Sequence, residues 1–196
     1  MRRHRIVLAV SALLALACLG TFAALAPGAT TSSKDIIRHG NGGENLAPFR
    51  VRVPSTMFWA NSGAIFQTYT SGLDGSVNSQ ATKGWTYLPP GTYSIQVNAV
   101  GNWGIDVTPG VVFPKKLAGG LLRYSGNGGM TLPPFSTSHG TTLHWTSRAD
   151  IFQIFSSGFD GGDVNSQASS GSTYLNAGTH SFQVNTTGAW TITWHK

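Results

Sequence analysis

One loop-rich phrase occurs twice in the chain, as SGLDGSVNSQATKGWTYLPPGT at 71–92 and as SGFDGGDVNSQASSGSTYLNAGT at 157–179. Self-similarity at a fixed spacing constrains a fold more than any single residue, because each copy has to form the same unit and bury its apolar face. The likeness extends to both sides. APFRVRVPSTMFWANSGAIFQTY aligns without a gap with PPFSTSHGTTLHWTSRADIFQIF, which pairs Phe49 with Phe135, Trp59 with Trp145, Ile65 with Ile151 and Gln67 with Gln153. Downstream, GTYSIQVNAVGNWGIDV matches GTHSFQVNTTGAWTITW, and the offset of 86 residues becomes 87 after the extra Gly162. The expected organisation is residues 1–29, a module at 35–107, a linker at 108–119 and a module at 120–196. The linker TPGVVFPKKLAG carries the prolines and glycines suited to a short connection.

Inside each module the hydrophobic period is two. FRVRV sets Phe49, Val51 and Val53 against Arg50 and Arg52. TYSIQVN sets Tyr93, Ile95 and Val97 against Ser94, Gln96 and Asn98, and NWGIDV puts Trp103, Ile105 and Val107 on one side. That alternation marks half-buried antiparallel strands. With Gly- and Asn-rich turns between them, the expected fold class is all-β, two homologous antiparallel β-sandwich modules of jelly-roll-like form. Phe49, Trp59, Phe66, Tyr87, Ile95, Val97 and Trp103 are the candidate core of the first. Trp85, Ile154 and Trp194 have no counterpart of like kind and are candidates for the contact between modules.

The N-terminus reads as an export signal, with positive charge in MRRHR followed by the apolar run IVLAVSALLALACLGTFAALA. At about 20 residues the run is also long enough to act as an uncleaved, outward-facing anchor. Both readings place the remainder outside the cell, with no stable membrane insertion unless this segment is retained. Cys18, the only cysteine, lies within it, so the mature chain forms no disulfide. The formal charge of +6 shrinks with the loss of Arg2, Arg3 and Arg5: ten basic residues against seven acids leave +3. The basic residues do not cluster beyond Lys115 and Lys116, which argues against nucleic acid as a partner.

HGNGGENLAPF and SGNGGMTLPPF at the module starts, with the GTYSIQVN…GNWGIDV ending, resemble bacterial secreted β-sandwich accessory modules similar to pre-peptidase C-terminal domains, here as a tandem duplication. The resemblance implies a sandwich that accompanies secreted enzymes or binds extracellular material.

The residues favour binding over catalysis. The histidines are scattered, Glu44 is the only glutamate, and Gly-x-Ser-x-Gly and His-Glu-x-x-His are both missing from the sequence. No catalytic residue, metal ligand or cofactor is assigned. Asp74-Gly75 and Asp160-Gly161 read as turns, since two acids, Asp160 and Asp163, fall short of what calcium demands. The ligand-binding candidates are Trp85 and Tyr87, as a stacking platform, and the polar row Gln96 and Asn98 with Gln183 and Asn185, whose amides both donate and accept. The expected partner is an extracellular glycan or envelope component. A structural or protein-interaction envelope protein is the alternative, and an unrecognised secreted hydrolase the third. If the leader is a signal, intact-mass analysis of secreted protein should find an N-terminus between Ala24 and Thr31; a membrane-bound species that still carries Met1 would identify an anchor instead.

Overall fold

The computed structural model describes residues 35–70, 75–156 and 161–196. The signal or anchor expected at 1–29 lies outside the described residues, as do Asp74 and Asp160. The chain is all-β with antiparallel sheets, and the only helical turn among the described residues is the 3-10 turn at Ala118–Gly120. The chain begins with β1 (Ile36–Asn41), β2 (Glu44–Asn45), β3 (Phe49–Val51), β4 (Ser55–Asn61) and β5 (Phe66–Tyr69). β6 (Val77–Ser79), β7 (Lys83–Leu88), β8 (Gly91–Tyr93), β9 (Gln96–Ala99) and β10 (Asn102–Pro109) complete the first half. The second half holds β11 (Lys115–Lys116), β12 (Leu121–Asn127), β13 (Met130–Thr131), β14 (Phe135–Thr137) and β15 (Thr141–Ser147). It continues with β16 (Phe152–Ser156), β17 (Val164–Ser166), β18 (Ser170–Leu175), β19 (Gly178–His180), β20 (Phe182–Asn185) and β21 (Ala189–His195).

In the first half the sheet orders are β1-β10-β4-β7, β2-β9-β5-β6 and β3-β8. In the second they are β11-β12-β21-β15-β18, β13-β20-β16-β17 and β14-β19. Alternation dictates which side of each strand is buried. Tyr93, Ile95 and Val97 are buried while Ser94, Gln96 and Asn98 are exposed, and Trp103, Ile105 and Val107 all face inward. FRVRV departs from the expected pattern after Val51: the strand ends there and Val53 is 37% exposed. The expected linker is partly sheet, because β10 runs to Pro109 and Lys115–Lys116 pair with Arg123 and Leu122 of β12.

Tryptophan organises both larger sheets. Trp103 on β10 lies opposite Gly40 on β1, and Trp59 on β4 lies opposite Gly84 on β7. The second half has the same arrangement, with Trp190 opposite Gly126 and Trp145 opposite Gly171. A Cβ at any of these four glycines would collide with the indole facing it. The indoles then meet the smaller sheets: Trp59 stacks on Phe66 at 4.8 Å and Trp145 on Phe152 at 4.9 Å. Each half thus has its own apolar core, drawn from all of its sheets.

The halves meet edge to edge. Gly129 N donates to Asn78 O at 2.7 Å, Ser79 Oγ donates to Asn127 O at 3.2 Å, and Thr131 N donates to Thr86 Oγ1 at 2.9 Å. The second-half side is β12 and β13; the first-half side is β6 and β7. Trp85 closes the seam by packing against the second core, its ring 6.3 Å from that of Tyr124. Ile154 and Trp194, the other candidates for this contact, are core residues of the second half, and Trp194 lies 4.4 Å from Phe135.

Truncating Trp103 to alanine should cost about 3–5 kcal/mol, as for other buried aromatics. Gly171→Ala adds one methyl beneath Trp145 and should cost about 1–3 kcal/mol through overpacking. Urea unfolding of both variants measures this, and a neutral Gly171→Ala would mean the indole is free to move aside.

Candidate ligand-binding face

The outward side of sheet β2-β9-β5-β6 carries a chain of amides across three strands. Gln67 pairs in register with Asn78 on β6 and Asn98 on β9. Asn98 Nδ2 donates to Gln67 Oε1 at 2.7 Å, and Gln67 Nε2 donates to Asn78 Oδ1 at 3.1 Å. Sheet β13-β20-β16-β17 repeats the arrangement. There Asn185 Nδ2 donates to Gln153 Oε1 at 2.8 Å, and Gln153 Nε2 donates to Asn165 Oδ1 at 3.2 Å. The inner neighbours explain why these amides face outward: Phe66, Thr68, Phe152 and Ile154 occupy the core side of the same strands.

Two residues along, the same outward face carries an aromatic ring in each half. Tyr69 is 50% exposed and Phe155 is 46% exposed, so both have ring area open to solvent. Tyr69 is held in place by its hydroxyl, which donates to Gln67 Oε1 at 3.1 Å. Gln96 lies opposite Tyr69 in register, and Gln183 opposite Phe155. Where the two sheets adjoin, a cleft of about 300 Å³ is lined by Gln67, Tyr69 and Asn78 on one side and Phe155, Gln183 and Asn185 on the other.

Four of the six residues singled out from the sequence, Gln96, Asn98, Gln183 and Asn185, therefore lie on these faces. The other two do not. Tyr87 is buried, 7% exposed, on the same side of β7 as Trp85 and opposite the core side that carries Thr86 and Leu88, so it forms no stacking platform. Trp85 is half-buried and covers Tyr124, because an edge strand that abuts a second core gains more from sealing it than from facing water. The sequence reading missed Gln67, Gln153, Asn78, Asn165, Tyr69 and Phe155 as members of the face. The gapless match of Gln67 with Gln153 and the doubled VNSQA were the available signals.

Asp163 behaves as a turn residue, its Oδ1 accepting from Ser156 N at 2.7 Å and Ser156 Oγ at 3.0 Å. Among the described residues no group of three or more His, Cys, Asp or Glu side chains is placed to hold a metal ion. His180 takes the inward position that Tyr93 has in the first half. Its Nε2 lies 3.1 Å from Asn176 O, as Tyr93 OH lies 2.6 Å from Pro89 O. Among the described residues two ionisable groups are shifted, both away from this face. Burial holds the Tyr124 phenol above its ordinary range. Burial, and secondarily the charge of Asp35, raises Asp106, with His39 opposing; its Oδ1 has no hydrogen-bond partner.

No family model matches the chain, and no curated protein sequence does. Solved structures that align include the protein Ylba from E. coli, of the DUF861 family, at 10% identity over 82% of this chain and 75% of that one, with a TM-score of 0.29. Another is the Cupin 2 conserved barrel domain protein from Leptotrichia buccalis, at 9% identity over 85% and 90%, with a TM-score of 0.28. The expected resemblance to pre-peptidase C-terminal domains is overturned, because no family model matches the chain. The reading of the chain as a tandem duplication of such a module falls with it.

A carboxyl raised by the fold binds its proton more tightly folded than unfolded, so ionised Asp106 weakens the fold above its folded pKa. Asp106→Asn should therefore stabilise the protein at neutral pH. The gain should shrink as pH falls through the raised value and be gone below the ordinary value of 3.8. Urea midpoints across that range test it, and a gain that persists in acid would assign the effect to something other than charge.

Proposed function

We propose that the protein is a secreted, non-enzymatic binding protein for uncharged extracellular or cell-wall polysaccharide, held on the outer amide faces. Each half, 35–107 and 120–196, acts as a jelly-roll-like β-sandwich unit whose smaller sheet presents the face. The observation that carries the reading is the matched set Asn78–Gln67–Asn98 with Tyr69 and Asn165–Gln153–Asn185 with Phe155. A sugar ring offers an apolar face for stacking and a rim of hydroxyls that donate and accept. An exposed aromatic beside prepositioned amides complements both. Part of each amide remains available: Asn78 Nδ2 and Asn98 Oδ1 carry no hydrogen bond among the described residues, and neither do Asn165 Nδ2 and Asn185 Oδ1. The export-type leader supports a place outside the cell, where such polymers are found. Gln67 and Gln153 stand four strands apart, roughly 19 Å at the usual strand spacing, so one extended polymer can touch both faces.

Isothermal titration of the mature protein against chitin, cellulose and peptidoglycan fragments and soluble glucans tests the reading. Binding should survive moderate salt, since little of it is ionic. Tyr69→Ala and Phe155→Ala should each weaken binding about tenfold, in line with loss of a stacked ring. Their combination should cost more than either alone, as for two sites on one ligand. If none of these glycans binds at millimolar concentration, the structural or protein-partner reading replaces this one.

A further inference from the structure

We infer that the first half carries a separate site for an oxyanion, phosphate or carboxylate, built on Arg50 and Arg52. The site does not rest on the glycan reading. Arg50 on β3 and Arg52 just beyond it alternate outward on either side of buried Val51, and both line a cleft of about 440 Å³ with Pro90, Gly91 and Thr92. Thr92 is the register partner of Arg50 and brings a hydroxyl to the same cleft. Two residues along a strand span roughly 6.6 Å, so the two guanidinium groups can converge on one anion or grip neighbouring ones. Each guanidinium presents a planar fork of donors that fits two oxygens of a phosphate or carboxylate at once.

Among the described residues no acid forms an ion pair with Arg50 or Arg52, and no hydrogen bond occupies their guanidinium groups. Surface arginines normally find a carboxylate where one is in reach. Here two of them share a concave site with none. The second half shows the contrast. Ser136 and Ser138 stand where the first half has Arg50 and Arg52, and Ser136 Oγ lies 3.0 Å from Thr179 Oγ1, so the hydroxyls satisfy each other. The same strand pairing thus forms in the second half without charge at these positions.

The test is titration of the intact protein with inorganic phosphate, polyphosphate and polygalacturonate at low and at physiological salt, comparing wild type with Arg50→Gln, Arg52→Gln, the double variant and Arg148→Gln. Arg148→Gln removes the same charge from an exposed position in the other half. The expected result is salt-sensitive binding that falls about tenfold or more with each cleft substitution, as for loss of charge-assisted hydrogen bonds. Arg148→Gln should leave it unchanged, and melting curves should show all variants folded. Binding of the phosphate probes alone assigns the site to phosphate, and binding of polygalacturonate alone assigns it to carboxylate. The proposal is overturned if no probe binds, if the double variant binds as wild type does, or if Arg148→Gln loses as much as the cleft variants. Tyr69→Ala should leave anion binding intact, which separates this site from the amide faces.

Discussion

The fold depends on indole rings seated over glycines of neighbouring strands. In each four-strand run the two inner strands carry the tryptophans and the flanking strands carry the glycines. Trp103 reaches from β10 to β1 and Trp59 from β4 to β7, while Trp190 and Trp145 do the same in the second half. A glycine in a strand weakens it, because it costs backbone entropy and offers no side chain to pack. The indole repairs this by covering the gap with a large apolar surface. Every flanking strand is therefore held by a ring as well as by its ladder of hydrogen bonds. Two of the rings add a bond of their own: Trp103 Nε1 donates to Gly42 O and Trp190 Nε1 to Gly128 O, both at 2.9 Å. These bonds fix the corners where β1 and β12 leave the larger sheets for β2 and β13. The positions of the outer faces follow from those corners.

Between the halves the seam is built from unlike surfaces. Its polar part uses backbone and hydroxyl groups, and its apolar part is Trp85 against Tyr124. The corresponding positions at the free edges are Ser172 on β18 and Arg38 on β1, set by the registers Trp145↔Gly171 and Arg38↔Ile105. An aromatic at one edge and a serine at the other is what distinguishes a covered edge from a wet one.

That distinction explains much of what the sequence did and did not disclose. Alternation in TYSIQVN and NWGIDV revealed which residues face inward, because burial on one side of a strand leaves a period of two. The tryptophans matched between the halves were legible as core for the same reason. Trp85 was not, since a ring without a counterpart fits an exposed platform and a covered edge equally well until the neighbouring strand is known. Gln96, Asn98, Gln183 and Asn185 could be placed outward from their own strands. Linking Asn98 to Gln67 and Asn78 required the pairing of β5 with β6 and β9, which joins residues far apart in the chain. The arginine cleft was hidden in plain alternation: FRVRV marked Arg50 and Arg52 as outward, but only the β3-β8 pairing sets them around a hollow with Thr92.

The amide chains have one more property. In both sheets the donated hydrogens run the same way, from Asn98 through Gln67 to Asn78, then from Asn185 through Gln153 to Asn165. The strand order sets these two series end to end across the seam. Their dipoles add instead of cancelling, so the surface has a head and a tail. A free acceptor begins each series and a free donor ends it. Any chain molecule laid across such a surface meets a different chemistry when turned end for end.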